Sequence, residues 1–70
     1  MSKPLVEFVR TSAGCMISLT EYGGDGTTTH AMLIANYPAD VWATEVAYER
    51  YKVLRRLIGD TADYGDRWEA

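Results

Sequence analysis

The sequence predicts a small α+β domain: three antiparallel strands, then one long helix packed on one face of the sheet, then a short acidic tail. Three observations lead there. Between residues 5 and 35, three short runs of β-forming residues are separated by glycine-bearing turns. From residue 36 to 58, apolar residues recur at helical spacing. Past Gly59, periodicity stops and acids take over. The expected organisation is a single β-β-β-α domain over residues 1–59, with residues 60–70 as a tail that docks through its aromatics or stays flexible.

Leu5 to Thr11 (LVEFVRT) has the composition and length of a strand. Ser12-Ala13-Gly14 supplies the turn, with Gly14 suited to a left-handed position. Cys15 to Tyr22 alternates, with Cys15, Ile17 and Leu19 on one side and Met16, Ser18, Thr20 and Tyr22 on the other. Gly23-Gly24-Asp25-Gly26 is a strong hairpin-tip signal. It is a poor phosphate cradle, because such loops lead from a strand into a helix and this one joins two strands. Thr27 to Ala35 is the third strand. If Tyr22 pairs with Thr27, Leu19 faces His30, Ile17 faces Met32, and Cys15 faces Ile34. The opposite face then receives Met16, Tyr22 and Leu33.

For the helix, Asn36 is the expected N-cap, with Pro38 in the first turn and Gly59 as the stop. Arg55 and Arg56 complement the dipole of its last turn. Ala43, Val46, Ala47, Tyr51, Leu54, Leu57 and Ile58 form one apolar stripe, flanked by Trp42 and Val53. Val41 and Tyr48 fall nearly opposite it and are expected to face outward.

Function classes narrow mostly by exclusion. Residues 1–58 balance six acids against six bases, and the tail supplies the net charge of −3. That distribution disfavours simple electrostatic capture of nucleic acid, although Arg50, Lys52, Arg55 and Arg56 could form a basic contact. A solvated, dipole-complementing helix end explains the same cluster. Cys15 is the only cysteine, so no intrachain disulfide forms, and a cytoplasmic protein with a reduced thiol is expected. No run approaches the ~18 apolar residues of a membrane span. Cys15 and His30 share a face but stand roughly 13 Å apart along the strands, too far for a nucleophile–base pair. Both read as packing residues, and no motif calls for a metal or cofactor.

What remains is a small non-enzymatic protein–protein interaction module. So short a chain has a thin core, and self-association or a partner commonly supplements it. The expected partner-binding residues are Tyr48, Val41, Arg55, Lys52, Met16, Tyr22, Leu33 and Trp68. The partner is another protein, a second copy in a homodimer, or both. Small acidic inhibitors and accessory factors of phages and mobile elements, such as antidefence inhibitors that block a surface of a larger complex, fit this description. The alternatives are a nucleic-acid-binding regulator using the basic helix end, or a homo-oligomeric structural subunit.

Overall fold

A chain of alternating β-formers can bury one face of a sheet only if another element covers it, and here a single helix does so. The computed structural model describes residues 3–23 and 28–69. Strand β1 is Leu5–Thr11, β2 is Gly14–Tyr22 and β3 is Thr28–Pro38. Helix α1, Val41–Ile58, follows, then a 3₁₀ turn, Gly59–Thr61, and a strand β4, Asp63–Trp68. The expected tip at 23–26 lies, past Gly23, outside the described residues, and so do the side chains of residues 28–31, His30 among them.

The sheet has four strands in the order β3-β2-β1-β4, not three. Strands β1, β2 and β3 pair antiparallel as expected, but β4 lies parallel to β1, which makes the sheet mixed. Most of the segment read as a tail is therefore an edge strand. It is tied in by its backbone and by charges from the far end of the chain. Arg10 meets Asp66 at 3.2 Å and Arg67 meets Glu7 at 2.8 Å. Trp68 is not the docked group, because it is 66% exposed.

The β2–β3 register also departs from expectation. Leu19 pairs with Met32 and Glu21 with His30, whereas Ile17 pairs with Ala35 and Cys15 with Tyr37. Ile34 is left over as a bulged residue between those two stretches. A bulge shifts the alternation by one, so Ala35 and Tyr37, not Ile34, take the positions opposite Ile17 and Cys15. Pairing also carries β3 through Asn36 and Pro38. This moves the helix start: Asp40 is the N-cap, and its carboxylate accepts the Trp42 N–H at 2.8 Å. Gly59 ends the helix with φ 65°, as its position suggested.

The core lies between α1 and the centre of the sheet. Val6, Phe8, Cys15, Ile17, Ala47, Tyr51 and Ala62 are buried there, with Leu54, Ile58, Tyr48 and Tyr64 packed around them. The expected helix phase needs two corrections. Tyr48 turns inward and meets Phe8 edge-on at 5.3 Å between ring centres. Leu57 turns outward, at 77% exposed. The aromatic cluster of Phe8, Tyr48 and Tyr51 rotates the helix toward Tyr48, since T-shaped and tilted ring contacts add to plain area burial.

The opposite face of the sheet carries no helix, yet Val9 there is buried. Its register neighbours there are Met16 on β2 and Arg67 on β4. At the β1–β2 turn Gly14 has φ 143°, and a Cβ at this position would collide with the Tyr37 carbonyl oxygen. Gly14→Ala is expected to destabilise the fold by at least about 1–3 kcal/mol. A thermal melt checks this, and an unchanged midpoint would show that the turn relaxes freely.

Candidate functional site

The helix leaves the end of β3 and must deliver the chain to the start of β4, at the other edge of the sheet. It therefore crosses diagonally over β2 and β1. Side chains hold it toward the far side. The Tyr51 hydroxyl donates to the Gly65 carbonyl at 2.9 Å, and the Tyr64 hydroxyl donates to the Gly59 carbonyl at 2.7 Å. The Arg55 guanidinium sits over the Tyr64 ring at 5.1 Å and the Tyr51 ring at 5.8 Å. Burial pushes the Tyr51 phenol above its ordinary pKa. The hydrogen bond to Asp66 holds the Arg10 guanidinium still more firmly charged.

Between the helix and the β3 side of the sheet the packing is incomplete. The result is a groove of about 620 Å³ between α1 and β3. Ile17, Ile34 and Ala35 form its sheet wall, Val46, Val53 and Leu54 its helix wall, with Trp42 and Tyr37 at one end. Glu45, Glu49 and Arg50 are the charged residues lining it. Trp42 is 72% exposed, and Met32, Leu33, Ile34 and Val53 are also exposed. Ile34, Trp42 and Val53 face the groove, Met32 lies beside it on the helix side of the sheet, and Leu33 lies on the other face. Scattered single apolar residues mean little, whereas several large ones close together are less common on a monomer's surface.

The eight residues expected at a partner surface are dispersed. Val41 and Trp68 come together, lining a smaller cleft of about 390 Å³ at one end of the molecule. Leu33 is exposed on the helix-free face, where Met16 and Tyr22 are only half-buried. Lys52 pairs with Glu49 at 2.8 Å and also sits over Tyr48, while Arg55 is engaged with the two tyrosine rings. Tyr48, expected to be exposed, is part of the core's rim. Trp42, Val53, Ile34 and Met32 were not expected as surface residues. Trp42 and Val53 flank the apolar stripe in sequence, and their exposure follows from the rotated helix phase. Ile34 could not be placed without the bulge.

Among the described residues, no group of three His, Cys, Asp or Glu side chains is placed to hold a metal ion, and no helix is long and apolar enough to cross a membrane. No family model, curated protein or solved structure matches the chain, so the groove is interpreted from its own geometry.

Proposed function

We propose that the protein is a non-enzymatic protein-binding module whose contact surface is the groove between α1 and β3 together with the adjoining edge of β3. One observation carries this reading: among the described residues, the exposed apolar side chains Ile34, Trp42 and Val53 line one groove, with Met32 and Leu33 beside it on β3. Tryptophan in an apolar setting is a frequent anchor of protein interfaces. Glu45, Glu49 and Arg50 give the groove a polar rim of mixed sign, the usual frame of such a contact. Size and acidity support a finer version, an inhibitor or accessory factor of phage or mobile-element type that occludes a surface of a larger complex. A cytoplasmic setting fits Cys15, buried as a free thiol.

A nucleic-acid-binding role has less support, because Lys52 and Arg55 already engage Glu49 and the tyrosine rings. The test is capture from the native host with the wild-type chain and with Trp42→Glu as baits. Trp42 is exposed, so the variant should keep its melting midpoint within the range of surface substitutions, about 0.5 kcal/mol. A protein retained by the wild type and lost by Trp42→Glu supports the groove. One retained equally by both rules it out as the contact.

A further inference from the structure

We infer that the occupant of this edge is a second copy of the chain, joined by antiparallel pairing of β3 with β3 across a two-fold axis. The inference rests on the protein-binding reading above and names the partner. Consecutive residues Met32, Leu33 and Ile34 are all exposed. Leu33 pairs with Ser18 on the helix-free face, whereas Met32 pairs with Leu19 on the helix face. A helix or loop lying in the groove could cover Met32 and Ile34 but would leave Leu33 in water. A strand added at the edge carries side chains to both faces and covers all three.

The two edges of the sheet differ in the way this requires. Strand β4 exposes an edge carrying Asp63, Asp66 and Arg67, the charged blunting that keeps edges single. Strand β3 has 11 residues, TTHAMLIANYP, and no charged side chain. Like-charge repulsion therefore does not oppose two copies of β3 meeting. The bulge at Ile34 and a second irregularity near residue 29 confine the regular edge to residues 30–33. An isologous ladder would be centred there, because a two-fold contact sets the same patch against itself.

The diagonal helix fits the same arrangement. Each α1 starts above the end of its own β3, with Trp42 near the edge. In an antiparallel pair that end lies beside the start of the other β3.

The chain is somewhat more open than a compact monomer of its size. A compact monomer of 7.8 kDa should expose about 4,400 Å², whereas the chain exposes 4779 Å². Its radius of gyration is 12.5 Å against about 11 Å for a compact domain of this length. The exposed apolar side chains Met32, Leu33 and Ile34, with the strand backbone and the nearby Trp42, would all contribute to the ~800 Å² per partner of a standard stable interface.

Sedimentation equilibrium on the wild-type chain between about 1 and 200 μM, the weak end of affinities for such an interface, is the deciding experiment. The expected mass is twice 7.8 kDa. Met32→Lys and Leu33→Lys, on opposite faces of an exposed strand, should each weaken self-association on the order of thirtyfold. The backbone amides of residues 30–33 should exchange more slowly above the dissociation midpoint than below it, a readout that needs no variant. A wild-type chain that stays at 7.8 kDa throughout overturns the inference. So does a dimer that Leu33→Lys leaves intact, because its contact would then lie in the groove without strand pairing. A monomer whose Trp42→Glu variant loses its captured target would remove only the second copy and leave the protein-binding reading standing.

Discussion

Phe8→Ala is expected to bring the protein to the verge of unfolding. Phe8 is fully buried at the centre of the sheet, against the rings of Tyr48 at 5.3 Å and Tyr51 at 5.7 Å. The Arg10 guanidinium lies over it at 5.0 Å. Removing a buried phenylalanine typically costs about 3–5 kcal/mol in lost transfer energy and cavity. A chain of this length holds roughly 4–10 kcal/mol in total. The melting midpoint should therefore fall by on the order of 20 °C, at about 4–8 °C per kcal/mol. Circular dichroism melts of both chains measure it. A drop of only a few degrees would mean that the aromatic cluster is not the centre of the core.

Terminating the chain after Gly59 is expected to abolish cooperative folding altogether. The deletion removes β4, and with it the partner strand along the whole outer edge of β1. It exposes the flank of Val6, Phe8 and Val9, strips Ala62 and Tyr64 from the core, and takes away the Gly65 carbonyl that accepts the Tyr51 hydroxyl. Arg10 and Glu7 lose their partners as well, though exposed ion pairs add little. Nuclear magnetic resonance spectra of the truncated chain should show the narrow amide dispersion of an unfolded polypeptide. A folded truncation with a modestly lower midpoint would show instead that β1 tolerates a bare edge.

The strands β1, β2 and β3 were legible in the sequence because their alternation, their β-formers and the Gly14 turn agree with one another. So was the end of the helix, where Gly59 follows two arginines. The start of the helix was not, because Pro38 suits a first helical turn as well as the end of a strand. The choice was made by Asn36 pairing across to Met16, a contact that no local pattern records. Strand β4 was missed for a related reason. DYGDRW has a glycine and three charges in six residues, a poor strand by propensity. What holds it is β1, almost sixty residues earlier, through a parallel ladder and two cross-chain ion pairs. Position within the fold overrode local preference there.

The groove depended on two details below the resolution of a hydrophobic pattern. One is the bulge at Ile34. The other is a rotation of the helix that exchanges Tyr48 for Leu57 at the core. The sequence grouped Trp42 and Val53 with the buried stripe, whereas the aromatic cluster turns Trp42 largely outward and leaves Val53 exposed.

The parallel pairing of the first strand with the last has a consequence for how the protein is made. During synthesis β1, β2 and β3 can associate as they emerge, because hairpins close over short loops. Strand β1 must then wait with one edge unpaired until almost the whole remaining chain has been translated, at about 5–20 residues per second. Until β4 docks, the sheet has two open edges, β1 and β3, and the contacts that close β1 are among the most distant in the sequence. Such contacts slow folding because their loop entropy is lost before they form. A chain broken off before Asp63 therefore leaves β1 with an open edge, a natural substrate for proteolysis.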